Sequence, residues 1–145
     1  MEEGLAAIRM IRGLNSNSVG MVYVASHSFH MRNAPLEVMR AAGDKLRLVH
    51  VSDTMDHHAS NDLRYITNPQ GNAVRVHQHL KIGDGDVNWD EFFGGLAEIG
   101  FLSRENSLMV SSVVAENDNA DEVSRFQLAA IGDYVDRAGR TDVRA

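Results

Sequence analysis

Three short apolar runs constrain this chain more than any other feature: Val19 to Ala25 (VGMVYVA), Leu46 to Ser52 (LRLVHVS) and Leu108 to Ala115 (LMVSSVVA). The first is nearly continuous, with β-branched and aromatic content, which marks a strand buried on both faces, and the other two read as a second and a third strand. Helical patterns separate them. Leu5, Ile8, Ile11 and Leu14 recur at helical spacing with Arg9 and Arg12 opposite. Pro35 in a first turn, Leu36, Met39 and Ala42 on one face and Gly43 past the end predict a second helix. From Asn88 or Trp89, residues Phe92, Phe93, Leu96 and Ile99 predict a third, closed by Gly100. Val123, Phe126, Ala130, Ile131 and Tyr134 stripe a final helix entered through Asn117 to Asp121. Asp53 to Val87 lacks periodicity and holds Pro69, Gly71, Gly83 and Gly85, so it reads mostly as loop, and loops this long usually carry function.

Helices alternating with buried strands imply an α/β fold with parallel pairing and right-handed crossovers. Function in such folds belongs at the carboxyl ends of the strands. His27, His50 through Asp53 and Glu116 are expected there, with Asn17 and Lys45 at the opposite edge. Three strands are few, and unpaired edge groups want a partner, so the sheet is expected to be incomplete or paired.

The 145 residues, 43% hydrophobic and 23% charged, suit one domain with a real core. With no cysteine, disulfides, thiolate ligands and a cysteine nucleophile are excluded, so a metal would need imidazole and carboxylate. A net charge of -6 and the lack of a Lys/Arg block argue against nucleic acid as a partner. No apolar run approaches the roughly 20 residues of a membrane span, and residues 1–20 lack the pattern of a signal peptide. No membrane association and a cytoplasmic location are expected.

All seven histidines lie between His27 and His79. Histidine is the commonest metal ligand and titrates near neutrality, so several at one sheet edge would form a metal or acid/base site. HVSD, His50 to Asp53, ends a strand with an imidazole and a carboxylate that can converge only where the strand breaks. A packed histidine and a loop-capping aspartate are the plainer alternative. HQH, His77 to His79, places both rings on one side of an extended chain, a geometry that can hold one metal; solvated loop histidines are its alternative. His27 ends the first run, whereas His57 and His58 read as solvated. Gly83 and Gly85 bracket Asp84 before a helix, where an anion could be cradled or a turn simply needs glycine. Ser111 and Ser112 lack the surroundings of a nucleophile, and the seven methionines read as core filler.

HVSD, followed by a loop into HQHLKIGDGDVNWDEFFGGLAEIGF, resembles the xylose isomerase-like TIM barrels, the superfamily of sugar-phosphate isomerases/epimerases and endonuclease IV. The stretch from Asp53 to Phe101 looks closest to isomerase-type myo-inositol catabolism proteins. The resemblance implies a partial (β/α)8 barrel, its last three parallel strands with their helices, and residues 1–145 as a single C-terminal portion of a barrel about twice as long. It implies a divalent metal (Mn, Mg, Co or Zn) held by Glu, Asp, His and Glu from four successive strands. The histidine falls on His50. The DxxH motif aligns with Val24 to His27, keeping its histidine and replacing its aspartate by Val24. The last glutamate falls near Ser112, four residues before Glu116, and the first belongs to a strand outside these runs. In the endonuclease IV branch two further ligands read D-x-H, and those positions are His77 and His79 here.

The resulting expectation is His50, His77 and His79 as metal ligands, Glu116 as catalytic acid/base, and His27, Asp53 and Arg64 as substrate-binding residues. The implied reaction is metal-assisted proton transfer next to a carbonyl in a carbohydrate or inositol-derived substrate. The competing expectation is a catalytically inactive partial barrel that oligomerises or binds a partner. A homo-oligomer, or association with a missing N-terminal half, is expected in either case.

Overall fold

The computed structural model describes residues 2–31, 34–56, 79–113 and 119–141. Helix α1 (Glu2–Gly13) buries Ile8 and Ile11, two members of the predicted stripe, against the core. Strand β1 (Met21–Val24) then passes directly into a six-residue helix, α2 (Ala25–His30). His27 therefore sits in the first turn of a helix and not on a strand end as expected. The apolar run ends at Ala25, a strong helix former, and Ser26 and Ser28 are buried in the turn that follows.

Helix α3 (Pro35–Ala42) has proline in its first turn and Gly43 at φ 52°, the start and stop expected from sequence. Arg12 closes its carboxyl end by donating to Ala41 O and Ala42 O, both at 3.1 Å from Nη2. After β2 (Leu46–Val51), helix α4 (Trp89–Glu98) is capped by Asn88, whose Oδ1 accepts from Glu91 N at 3.2 Å. Gly100 turns left-handed at φ 68°, with its N–H on Ala97 O. Strand β3 (Leu108–Ser111) and helix α5 (Ala120–Thr141) complete the described elements.

The sheet order is β1-β2-β3 and both pairings are parallel, as expected. Side-chain alternation divides it into two unlike faces. Tyr23, Val49 and Met109 share one row under the helices, where α1 packs on α3, α3 on α4 and α4 on α5. Met39, Phe92, Phe93 and Leu96 are almost wholly buried there, at about 1.5 to 3 kcal/mol each from burial. Gly95 permits the α3–α4 approach, since a Cβ on it would lie 2.9 Å from Met39 Sδ. The opposite face carries the rows Val22, Leu48, Leu108 and Val24, His50, Val110. Val22 is 50% exposed and Leu108 58% exposed, while Val24, Leu48, His50 and Val110 are half-buried, so the described residues leave this face partly open.

Candidate functional site at the strand ends

At the carboxyl end of the sheet two histidines meet. His27 Nε2 and His79 Nε2 are 3.3 Å apart, with the rings edge-on at 71°. His27 is exposed and His79 half-buried, so the pair opens to solvent. His79 Nδ1 lies 2.7 Å from Ser112 O just beyond β3. A carbonyl only accepts, so Nδ1 of His79 carries the proton and its Nε2 offers a lone pair. His27 Nε2 then donates to His79 Nε2.

Both histidines are neighbours of residues tied to the end of β2. Ser26 Oγ and Ser52 Oγ share a hydrogen bond of 2.9 Å, and both side chains are fully buried. Asp53 and Leu80 exchange backbone hydrogen bonds of 2.8 and 2.9 Å as an antiparallel bridge. The wholly buried Asp53 carboxylate accepts from Thr54 N at 2.8 Å and Val87 N at 3.1 Å through Oδ1. Through Oδ2 it accepts from Gly83 N and Trp89 Nε1, each at 2.9 Å. Of the Gly83 to Gly85 turn one N–H, that of Gly83, reaches the Asp53 carboxylate, while Asp84 N donates to Lys81 O. Sequence reading assigns Asp53 to substrate; its acceptor sites are occupied by protein donors instead.

Helix α5 reaches the same turn through Gln127, fully buried, whose Oε1 accepts from Ile82 N at 2.7 Å. Gln127 Nε2 donates to Ser111 Oγ at 3.3 Å. Sequence reading misses this residue, although a polar side chain at the centre of the stripe Val123, Ala130, Ile131 is a visible signal. It misses the role of Trp89 too, although a buried indole N–H usually finds an acceptor.

His50 stands in the open-face row between Val24 and Val110. It does not join the His27–His79 pair, since no group of three His, Asp or Glu able to hold a metal exists among the described residues. His77, Glu116 and Arg64, like His57 and His58, lie outside the described residues.

The donors present fit part of a metal site. Two imidazole nitrogens on one tetrahedral metal stand roughly 3.3 Å apart, given metal–nitrogen bonds of about 2.0 to 2.1 Å. The two Nε2 atoms are at that separation, and the Nδ1 contact to Ser112 O is the outer hydrogen bond that a ligating histidine makes. At the strand ends the fit is poorer. Val24 offers no donor, while Ser112 Oγ is buried with no hydrogen-bond partner among the described residues.

A search of the curated proteins finds no match. Among solved structures, the IolI protein with a binding zinc atom superposes at TM-score 0.66 and 20% identity, over 91% of this chain and 43% of its own. L-ribulose 3-epimerase superposes at TM-score 0.64 and 14% identity, over 98% of this chain and 45% of that one. D-allulose 3-epimerase from Methylomonas sp., in complex with D-allulose, gives 0.55 and 18%, over 96% and 40%. The chain thus spans less than half the length of these structures, and its sheet and helices are those of a partial barrel. The family model of the xylose isomerase-like TIM barrel matches residues 5–129. On that match, across most of its length, this chain belongs to the xylose isomerase-like TIM-barrel family.

Proposed function

We propose that residues 1–145 are the C-terminal portion of a sugar isomerase/epimerase-type barrel that acts on a carbohydrate or inositol-derived substrate. The observation that carries this reading is the His27–His79 pair, solvent-open at the carboxyl ends of a parallel sheet, where barrels of this kind do chemistry. His79 and His27, with His77 close by in sequence, would hold a divalent metal such as zinc or manganese, while His50 stands apart from the pair on the sheet face. The zinc in the IolI structure supports this choice. When bound, such a metal polarises a substrate oxygen and so acidifies the adjacent C–H. Glu116 is the proposed acid/base, and Arg64 a substrate contact. The Nδ1–H of His79, held on Ser112 O, leaves its Nε2 lone pair facing His27, and His27 would have to carry its ring proton on Nδ1 for its own Nε2 to serve as the second ligand.

The test is proton exchange. Protein loaded with manganese or zinc, incubated with ketohexoses and with inosose in D2O, is expected to place deuterium next to the carbonyl. His27→Ala and His79→Ala should each abolish the label. Unlabelled substrate from the wild-type protein would defeat the enzymatic reading.

A second reading is favoured by Val24 and by the exposed Val22 and Leu108 on the open face of the sheet. In it the chain is catalytically silent and functions by associating, with itself or with the complementary barrel half, through the rows at Val22 and Val24. Sedimentation separates the two, because a monomer with no affinity for other barrel segments would end it.

A further inference from the structure

We propose that Ser52 and Asp53 are positioning residues: together they form a two-residue clamp that sets the His27–His79 pair. This rests on the reading of that pair as the functional centre, and it changes what HVSD is for. His50 and Asp53 do not converge on a ligand. The last two residues of the motif instead reach in two directions from the end of β2, one toward each histidine.

Toward His27 the link is the Ser26–Ser52 hydrogen bond, 2.9 Å and fully buried. Ser26 precedes His27 in the first turn of α2, a six-residue helix with no side-chain cap at its amino end. So short a helix has little stability of its own, and a buried hydroxyl contact fixes its rotation against the sheet. Toward His79 the link is the Asp53–Leu80 bridge, which pins the residue adjacent to His79 by two backbone hydrogen bonds. The Asp53 carboxylate holds the far side of the same turn through Gly83, Val87 and Trp89. Two segments 52 residues apart in sequence thus take their positions from consecutive residues of one strand end. Loosening either link displaces one imidazole relative to the other, and a pair at 3.3 Å tolerates little displacement.

Ser52→Ala, Ser52→Thr and Asp53→Asn are compared with the wild-type chain by imidazole nitrogen NMR and by zinc calorimetry. The wild type is expected to show His79 locked as the Nδ1–H tautomer and His27 as Nε2–H. Ser52→Ala should leave circular dichroism unchanged, average the His27 tautomers and weaken zinc about tenfold, and Ser52→Thr, which keeps a hydroxyl, should restore both. Asp53→Asn should average the His79 tautomer; if it fails to fold, Ser52→Ala and its rescue decide. A folded Ser52→Ala with wild-type tautomers and zinc affinity overturns the clamp. Zinc binding that is absent from the wild type, with tautomers that still respond to Ser52→Ala, removes the metal reading and leaves the clamp standing. A wild type with neither fixed tautomers nor zinc removes both.

Discussion

Trp89, the first residue of α4, donates its indole N–H to Asp53 Oδ2 at 2.9 Å, and so joins the helix start to the end of β2 inside the core. Truncating Asp53 to alanine leaves that donor and the backbone N–H groups of Thr54, Gly83 and Val87 without their acceptor. The two buried donors, Trp89 Nε1 and Thr54 N, cost about 1 to 3 kcal/mol each as orphans and the part-buried Gly83 and Val87 N–H groups less, so the Asp53→Ala chain is expected to lose about 3 kcal/mol or more, a large part of a domain's stability. Trp89→Phe removes one donor while keeping most of the apolar contact with Phe92, and should cost about 1 to 3 kcal/mol. Urea unfolding of the two variants checks both the size and the order; equal losses would contradict the distribution of hydrogen bonds described.

Gly85 is required where it stands by close approach. A Cβ there would collide with Asp53 Oδ1 and lie 2.5 Å from Thr54 O. Because the second obstacle is backbone, the turn itself must shift, and Gly85→Ala is expected to destabilise by about 2 kcal/mol or more. Gly94, inside α4, has open space where a Cβ would stand, with no atom within 4 Å, so Gly94→Ala should stabilise by about 0.5 to 1 kcal/mol through helix propensity. Thermal midpoints should therefore move in opposite directions, and a rise for both would show that the Gly85 turn is looser than its contacts indicate.

Tyr23 supplies a pH dependence. Burial pushes its phenol from the ordinary value of 10.0 up to about 12, and the Glu91 carboxylate adds to the rise. The neutral form is thus favoured in the folded chain. Its contribution is fully present below pH 10 and is lost as pH rises through about 12. By linkage the loss is on the order of 2 kcal/mol, and Tyr23→Phe should flatten the stability profile between those limits while leaving it unchanged near neutrality. Denaturant midpoints measured from pH 8 upward test this, and a Tyr23→Phe chain that still loses the same stability would assign the titration to another group.

The fold is legible in the sequence because its signals are local and repeated. Pro35 and Gly43 bound α3, Asn88 and Gly100 bound α4, and the apolar runs at Val49 and Met109 are parallel strands. Helix α2 is not legible, since ASHSFH is too short for a period and follows a strand without a break. At the site, proximity of His27 and His79 depends on segments 52 residues apart and on no local pattern. Asp53 stands out in the sequence, but its purpose does not: a strand-end carboxylate can face a ligand or its own loop, and only the positions of Gly83, Val87 and Trp89 decide between them.

The partly open sheet face yields the last prediction. Val22, Leu48 and Leu108 stand in register across three strands, and the two outer members are at least half exposed. Met10 and Leu14, one helical turn apart at the end of α1, add a second exposed apolar ridge at 66% and 59%. An apolar surface of this kind on a lone chain favours association over solvation. Sedimentation is expected to show self-association that grows with concentration, together with binding of an apolar fluorescent dye. Val22→Lys with Leu108→Lys should reduce both, because lysine on the strand face opposes packing and edge pairing alike. The same pair should leave the thermal midpoint of the dilute chain within a few degrees, since neither side chain is in the helix-side core. A large loss of midpoint would instead mean that this face is already buried in the isolated chain.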